Sequence, residues 1–457
     1  MYSLKKQLIG FLLFCLFLQI SSDYAYSQTW KKISGSTDKY VNFLKFSIHD
    51  KSKLFVGSDA APTDFMENSI SFLYFGYGMQ ISSDAGSSFS AVKLSDYSIF
   101  DLIESATDES KLLVSARKQD IGRVLLSSDG GTTWDEETKR CEGSSQIAKF
   151  QSVSDGENET FYSALKNSSD GFRYSDDYFV NCSSSEGTNL DARDLAVSKV
   201  NPKVMFLAGN NAVNNRVLFS SDGGQSWEDR SSGLENYRIL SIQTSPVNEA
   251  IVVVGADSIT PTAKIIGKGV FYSDDYGKNW RHAGADGASV LDIQVHPSNP
   301  KYWAAAGGKK GVLISGTGGD YWEASTDGLP VDFFVRKVAI PDLPPNQNGI
   351  IVYASIYGEG IYKSENITTS VSDEQELNDE NFVKLIYPVP ASDNLGVSLN
   401  SNNDVSYEIF NLLGVKLLSG NLNNRTSIDI SMLQNSTYLI KFSNSGKFQL
   451  LKFSKVN

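Results

Sequence analysis

One eight-residue phrase decides how this chain folds: Ser220-Ser221-Asp222-Gly223-Gly224-Gln225-Ser226-Trp227. It recurs with little change at 82–89, 127–134 and 273–280, and in weaker form at 175–182 and 315–322. The six copies start 45, 48, 45, 53 and 42 residues apart, and a truncated seventh ends on Ser364, 49 residues after Ser315. A phrase repeated at such a period indicates a repeat architecture rather than a series of unrelated domains.

Short apolar segments surround each copy of the phrase. Residues 217–219 precede one copy, residues 239–244 open the next repeat before a Ser-Pro turn, and residues 251–255 follow that turn. Four strands in about 45 residues are typical of a propeller blade. The sequence therefore predicts an all-β chain with a single seven-bladed β-propeller of four-stranded blades over residues 28–367. Trp30 is expected on an outer strand that completes the blade ending at Ser364, which leaves no free edge.

The phrase resembles the Asp-box (BNR) motif, Ser/Thr-x-Asp-x-Gly-x-x-Trp/Phe, over roughly residues 30–365. Propellers with this motif include sialidases, sortilin-type receptors, two-propeller xyloglucan hydrolases and a photosystem assembly protein. The Ser and Asp side chains can satisfy the amides of the turn, the Gly can adopt a positive φ, and the aromatic ring can pack between blades. We therefore interpret the motif residues as structural: Asp84, Asp129, Asp222, Asp275, Trp134, Trp227 and Trp280.

The N-terminal segment reads as an export signal. Lys5 and Lys6 precede an apolar run over residues 8–20, and a small-residue site predicts cleavage before Gln28. The apolar run is too short for the alternative, a membrane-spanning anchor, and no later segment predicts a membrane span. Cleavage leaves Cys141 and Cys182, which could form one disulfide in an oxidising compartment or remain two separate thiols.

The last part of the chain has a different character. Residues 368–382 form a polar, acidic linker, and residues 383–457 alternate apolar and polar residues as the short strands of a small β-sandwich do. From the residues alone, this sandwich could be an accessory domain that binds carbohydrate.

The segment resembles the type A C-terminal sorting domain of the type IX secretion system of Bacteroidetes, on the strength of Tyr387-Pro388-Val389-Pro390-Ala391-Ser392-Asp393 and Tyr438-Leu439-Ile440-Lys441-Phe442. It departs in having Val389 where Asn is usual, and no Gly before Tyr438. The resemblance implies the secretion machinery as a partner and an extracellular or cell-surface location.

Composition excludes some functions. The chain has 457 residues with 41 Lys+Arg against 53 Asp+Glu, a formal charge of −12, so nucleic acid is not an expected partner. Only 3 histidines disfavour a metal centre or a His-based triad, and we predict no cofactor and no metal. A monomer is expected.

Propellers place their sites at the mouth of the central channel. Aligning the innermost strands on their turns predicts one channel-facing layer, made of Phe43, Asp101, Ile147, Asp194, Ser241, Asp292 and Lys337. The next layer contains Lys45, Ile103, Lys149, Ala196, Gln243, Gln294 and Ala339. Asp101, Asp194 and Asp292 are the candidate catalytic carboxylates, since facing acids can raise one another's pKa. Alternatively, Lys45, Lys149 and Lys337 neutralise these acids in a polar channel lining.

Aromatic and basic residues cluster just above that layer. The candidate ligand-binding residues are Tyr40, Phe100, Arg193, Tyr237, Arg238, Phe334 and Arg336. Aromatic rings beside Arg suit stacking on sugars or gripping acidic glycans, although they could equally pack loops over the ring. The longest irregular stretch, residues 58–72, carries Asp59, Asp64, Phe65, Met66 and Glu67 and is long enough to be a functional loop.

Known enzyme templates fit this sequence poorly. It has no Phe-Arg-Ile-Pro-like segment of a sialidase, it has one propeller where xyloglucan hydrolases have two, and its histidines lie off the channel. The sequence therefore favours a binding propeller that recognises an extracellular polysaccharide or protein. The alternative is a glycan-processing enzyme, a glycosidase-type hydrolase with carboxylates at the channel mouth.

Overall fold

The computed structural model of the chain divides into two compact units, Met1–Thr369 and Ser370–Asn457. In the first it describes residues 30–37, 40–59, 76–119, 121–141, 146–166, 168, 170–185, 188–210, 215–260, 262–344 and 350–364. In the second it describes residues 383–387, 391, 393–399, 405–411, 416–422, 427–434, 436–444 and 447–455. The predicted signal peptide and acidic linker lie outside the described residues.

The described part of the first unit contains seven antiparallel sheets, here called blades 1–7 in chain order. The strands of blades 1–4 are β2 (Tyr40–Phe46), β3 (Leu54–Asp59) and β4 (Met79–Ser82); β5 (Ser98–Glu104), β6 (Leu112–Lys118) and β7 (Ile121–Ser127); β8 (Gln146–Ser154), β9 (Glu159–Lys166), β10 (Phe172–Ser175) and β11 (Ser183–Ser184); and β12 (Asp191–Val197), β13 (Met205–Asn210), β14 (Asn215–Ser220) and β15 (Glu228–Asp229).

Blades 5–7 continue the series. Their strands are β16 (Arg238–Thr244), β17 (Val252–Ile259), β18 (Ile265–Ser273) and β19 (Arg281–His282); β20 (Asp292–Val295), β21 (Trp303–Ala306), β22 (Val312–Ser315) and β23 (Glu323–Ser325); and β24 (Val335–Ala339), β25 (Tyr353–Ile356), β26 (Gly360–Ser364) and β1 (Trp30–Lys32). In every blade the first strand in chain order, with β24 in blade 7, is the inner strand.

The inner strands form a closed ring. They contact one another in the order β2, β5, β8, β12, β16, β20 and β24, and β24 in turn contacts β2. The ring is closed by β1, which pairs with β26 so that Trp30 lies opposite Ser364. Trp30 is 2% exposed, and its indole Nε1 donates to Ser325 Oγ over 3.0 Å. The unit is thus an all-β propeller in which the first and last strands share one blade, as predicted.

Blades 1 and 2 differ from the predicted four strands. Each is a three-stranded sheet, and a single bridge stands where the fourth strand would be, Met79↔Lys93 in blade 1 and Leu126↔Asp135 in blade 2. In blade 2 the Asp135 carboxylate accepts the amides of Glu137 and Thr138, so the chain turns away after one bridging residue.

Six box turns, defined as residues 82–89, 127–134, 175–182, 220–227, 273–280 and 315–322, share one hydrogen-bond plan. In each, the first Ser accepts the amide four residues later through Oγ; the six bonds are those of Ser82, Ser127, Ser175, Ser220, Ser273 and Ser315. Where an Asp is present, its Oδ1 accepts the amide four residues after it, as for Asp129 and Thr133 at 2.8 Å. The turns are therefore satisfied internally.

The glycine and the final aromatic residue of the box turn pack against the preceding blade. Gly131 has a φ of +94°, and a Cβ there would lie 2.8 Å from Ile81 of blade 1. Trp227 of blade 4 packs edge-on against Phe172 of blade 3, with ring centroids 5.1 Å apart, and donates to Ser185 Oγ. The aromatic ring therefore packs between blades.

The third box turn lacks this aromatic residue. Cys182 stands in its place and is joined by a disulfide to Cys141, with Cα atoms 6.2 Å apart. Phe179 occupies the glycine position at a φ of 62° and packs against Phe150 of the inner strand. Since Cys141 belongs to the connection from blade 2, the disulfide links adjacent blades where the other turns use an aromatic ring.

The second unit is a small sandwich. Its two sheets contain β27 (Val383–Tyr387), β28 (Asn394–Leu399) and β31 (Ser427–Asp429), and β29 (Ser406–Asn411), β30 (Lys416–Asn421), β32 (Ser436–Asn444) and β33 (Lys447–Lys455). Buried residues of both sheets, including Val397, Ile409, Ile440 and Phe442, form one core. This agrees with the β-sandwich expected from the alternating pattern.

Candidate ligand-binding site at the propeller channel

A β-bulge near the start of the inner strands sets which side chains come together. Register breaks fall after Val41, Ile99, Ile147, Ala192, Ile239 and Val335. In blade 6, Leu291 N donates to Ala306 O while Asp292 pairs with Ala306, which is the same two-against-one arrangement. The bulged residues, here called the bulge layer, are Asn42, Phe100, Ala148, Arg193, Leu240, Leu291 and Arg336. The residues after them, the channel layer, are Phe43, Asp101, Lys149, Asp194, Ser241, Asp292 and Lys337.

The predicted channel layer was wrong in blade 3. Lys149, and not Ile147, occupies that position, because the bulge at Ala148 comes two residues later than the turn alignment implied. Ile147 is instead buried in the core between blades 2 and 3. The prediction placed Lys149 in the following layer, where the register puts Gln151.

Each channel aspartate holds the next blade through a backbone hydrogen bond. Its Oδ2 accepts a hydrogen bond from a backbone N–H in the next inner strand, that of the residue directly after the channel-layer residue. The three bonds are Phe150 N to Asp101 at 2.7 Å, Ile242 N to Asp194 at 2.9 Å and Val338 N to Asp292 at 3.1 Å. The donors lie in β8, β16 and β24. The carboxylates therefore tie blades 2 to 3, 4 to 5 and 6 to 7.

Three lysines lie against these carboxylates. The Nζ–Oδ1 distances are 2.6 Å for Lys45–Asp101, 3.8 Å for Lys149–Asp194 and 4.0 Å for Lys337–Asp292. Together the six side chains, here called the channel cluster, carry three charges of each sign.

The charges of the cluster act across several blades, since Lys149 of blade 3 feels the charges of Asp101, Asp194 and Asp292 from blades 2, 4 and 6. Burial alone would lower the pKa of Lys149, but the three carboxylates raise it above its usual range. Burial lowers the pKa of Lys45 despite Asp101, and it raises the pKa of Asp194 despite Lys149.

In the bulge layer, Arg336 lies over an aromatic ring and has no acidic partner among the described residues. Its guanidinium carbon is 3.5 Å from the ring centroid of Tyr40, and the Tyr357 ring packs edge-on against Tyr40 at 5.7 Å. The Arg336 Nε atom is buried without a hydrogen-bond partner. Burial lowers the pKa of Arg336 to about 9, only partly offset by Tyr357. In blade 4, Arg193 Nε donates to Asn210 Oδ1 over 3.4 Å.

The other candidate ligand residues do not all share this layer. Arg238 is held by Asp257 through two bonds of 2.7 Å. Tyr237 packs against Phe271 and under Lys268. Phe334 lies beside Gly308 in the connection before β24. Phe100, Arg193 and Arg336 are therefore the candidates that occupy corresponding positions in the ring.

Sequence reasoning missed Tyr357 and Asn210. Tyr357 belongs to the turn between β25 and β26, and Asn210 is the last residue of β13. Only the register of these strands brings the two residues beside an inner strand. Residues 58 and 59 of the predicted loop 58–72 belong instead to β3, where Asp59 Oδ1 accepts from Ser98 Oγ over 2.7 Å. The remaining loop candidates, Asp64, Phe65, Met66 and Glu67, lie outside the described residues.

Within the described ranges, no group of three or more His, Cys, Asp or Glu residues could hold a metal ion. No helix in the same ranges is long and apolar enough to span a membrane.

Solved structures with a similar fold are distant relatives at most. The structure titled YCF48 bound to D1 peptide is 15% identical, covers 74% of this chain and 97% of its own, and has a TM-score of 0.49. The Niastella koreensis GH74 enzyme is 12% identical over 90% of this chain and 74% of its own, with a TM-score of 0.35. The extracellular domain of BT3049 from B. thetaiotaomicron is 12% identical over 94% and 57%, with a TM-score of 0.49. At these scores the likenesses say nothing about ligand or activity, and no curated protein sequence matches the chain significantly.

The C-terminal segment has a specific match. Residues 385–455 match the family described as the secretion system C-terminal sorting domain, and they cover most of the small sandwich. This confirms the resemblance carried by the Tyr-Pro-Val-Pro segment and the strand around Tyr438. The protein is therefore a β-propeller that is secreted by the type IX system through a C-terminal sorting domain and is extracellular or attached to the cell surface.

Proposed function

We propose that this exported propeller binds an extracellular ligand, a polysaccharide or a protein, at the bulge-layer end of its channel and does not cleave it. One observation carries the proposal: each of Asp101, Asp194 and Asp292 accepts a backbone amide of the next blade and lies against a lysine.

Such carboxylates are poorly suited to glycoside hydrolysis. A general acid must hold a proton and deliver it to the glycosidic oxygen, and a partner carboxylate must reach the sugar or a water molecule. In the channel cluster each carboxylate lies against a lysine, and a backbone amide fixes one of its oxygens in place. These contacts support a structural role for the channel layer, and they leave the bulge layer as the surface for recognition.

The bulge layer has the residue types that bind without chemistry. Phe100 is a partly exposed aromatic residue, and Arg193 and Arg336 are cations without a carboxylate partner in the part of the chain that the structure describes. Aromatic and arginine side chains carry much of the binding energy at recognition surfaces. The proposal therefore places the ligand above the carboxylates rather than between them.

The test separates binding from turnover. The secreted full-length chain is incubated with a panel of polysaccharides and their oligosaccharides, retention is measured, and the soluble products are sized. We expect retention without shortening of the oligosaccharides, and weaker retention for Phe100→Ala than for the matched control Val247→Ala, in an exposed turn after an inner strand.

Shortened products that disappear in Asp101→Asn, Asp194→Asn or Asp292→Asn would instead establish the glycosidase alternative. Equal retention of Phe100→Ala and the control would move the site away from the channel.

A further inference from the structure

We infer that Arg336 of blade 7 forms an anion site in the bulge layer that takes the carboxylate of an acidic, uronate-containing polysaccharide, and that Arg193 of blade 4 offers a second such site. This inference rests on the proposed function and specifies its ligand class.

The two arginines differ from most of the ten arginines in the described part of the propeller. Six arginines lie within 4.0 Å of a carboxylate oxygen: Arg140, Arg173, Arg216, Arg230, Arg238 and Arg281. Arg336 and Arg193 have no such partner; Arg336 lies over the Tyr40 ring, and Arg193 donates to a neutral amide oxygen. A ligand carboxylate would complete both sites.

Burial makes the isolation of Arg336 costly. A guanidinium removed from water without a counter-ion destabilises a fold, and a hydrocarbon of similar shape in its place is often neutral or stabilising. The Nε–H of Arg336 is buried and makes no hydrogen bond. Fork-shaped guanidinium donors match carboxylate oxygens in geometry, so a carboxylate is the anion that suits Arg336 best.

The charge of the surroundings favours an anion. The lysines of the channel cluster are balanced by three aspartates. The bulge layer adds two arginines and no acid to that neutral layer. The bulge layer itself therefore presents positive charge to an anion, although the protein as a whole is acidic.

The adjoining aromatic surface favours a sugar over a peptide. Tyr357 is 43% exposed and packs against Tyr40, which carries Arg336 on its ring. An exposed ring beside a guanidinium presents an apolar face and a cation together. A uronate residue presents the matching pair, a face of C–H groups and a carboxylate on the same ring.

The experiment compares one sugar backbone with and without its charge. Isothermal titration calorimetry on the full-length protein uses oligogalacturonate, its fully methyl-esterified form, and poly-glutamate as the peptide probe. We expect oligogalacturonate to bind about tenfold or more tightly than the ester, because hydrogen bonds to a charged group are the stronger ones. Poly-glutamate should bind more weakly than oligogalacturonate.

Substitution then tests the role of Arg336. R336M keeps the apolar stem and removes the charge, so oligogalacturonate affinity should fall about tenfold or more while Tm stays constant or rises. The matched control is R281Q, which also has its guanidinium over a tyrosine ring, at 4.2 Å from Tyr272, but in an outer strand. This variant should bind like the wild type. A structural role alone would lower the Tm of R336M.

Three results would overturn the inference, and they differ from failure of the proposed function. Equal binding of the acid and the ester would show that the ligand carboxylate is not recognised. Unchanged affinity in R336M would show that Arg336 does not bind the ligand. Arg336-dependent binding of poly-glutamate alone would assign an acidic peptide instead. In each case the propeller still binds a ligand; if no polysaccharide or peptide is retained by the wild type, the proposed function fails as well.

Discussion

The clearest consequence of the channel geometry is that its aspartates stabilise the ring. In Asp101→Ala, the Phe150 amide loses a 2.7 Å bond and the Lys45 ammonium loses a partner at 2.6 Å. Removing one member of a buried ion pair costs about 3–5 kcal/mol. The Lys45 side chain is 25% exposed, so water partly replaces its partner and the lower end, about 3 kcal/mol, is expected.

That loss is measurable as a thermal shift. With an unfolding entropy of ~2.1 cal/mol/K per residue over about 335 residues of propeller, 1 kcal/mol lowers Tm by about 1.4 °C, so Asp101→Ala should lower Tm by about 4 °C. Tryptophan fluorescence is the assay, because all 6 tryptophans lie between residues 30 and 322 and none lies in the sorting domain.

Asp320→Asn is the matched control. It removes an ion pair with Arg281 in which both side chains are about half exposed, and its Tm should change by less than about 1 °C. The reasoning is refuted if Asp101→Ala unfolds within about 1 °C of the wild type, or if its Tm rises, since carboxylates kept for catalysis usually cost stability.

Three further outcomes follow from other parts of the propeller. Ser220→Ala leaves the Gly224 amide without its 2.8 Å acceptor, so the free energy of unfolding should fall by about 1–3 kcal/mol; a change of the opposite sign in a denaturant titration would contradict the box-turn account. Cys141 and Cys182 are 41 positions apart, so reducing their disulfide should lower the free energy of unfolding by about 4 kcal/mol through chain entropy. A reductant should therefore lower the Tm of the wild type but not that of Cys182→Ser, and equal responses of the two proteins would contradict a stabilising disulfide. Hydrogen bonds from the Thr133 hydroxyl and amide lower the pKa of Asp129 to about 2. Because this pKa lies below the unfolded value of 3.8, the stabilisation is complete above about pH 4 and is lost as the pH falls towards 2; Asp129→Asn should flatten the fall of Tm over that range, and an unchanged slope would contradict it.

The ring was predictable because the box phrase recurs at nearly regular intervals along the sequence. Seven recurrences fix the number of blades, and Trp30 alone, without a box turn beside it, indicates the strand that closes the last one. The sorting domain was predictable for a similar reason, since its Tyr-Pro-x-Pro segment is a local signature. These features depend on residues near one another in sequence.

The site was less predictable because it depends on register. Lys149 was assigned to the wrong layer because the bulge of blade 3 comes two residues later, relative to the aligned turn, than the bulges of the other blades. The partners of the channel aspartates are backbone amides of the next blade, about 46–49 positions away, and any residue supplies such an amide.

The isolation of Arg336 was also unreadable from sequence. Arg238 and Arg336 looked equivalent, each an arginine at the start of an inner strand. Strand pairing places Asp257 opposite Arg238, whereas Arg336 is the bulged residue of its strand and is left without a carboxylate. The two arginines differ in the residue that lies opposite each of them on the neighbouring strand, and the sequence alone does not show that pairing.

The central claim is that a ligand binds at the bulge layer of an intact ring. Hydrogen–deuterium exchange on the full-length protein, with and without saturating oligogalacturonate, locates the contact directly. The account predicts slower exchange in peptides that contain the starts of the inner strands, above all those around Arg193 and Arg336, with no shortening of the oligosaccharide. Slower exchange confined to the box turns or to residues 383–455 would contradict it.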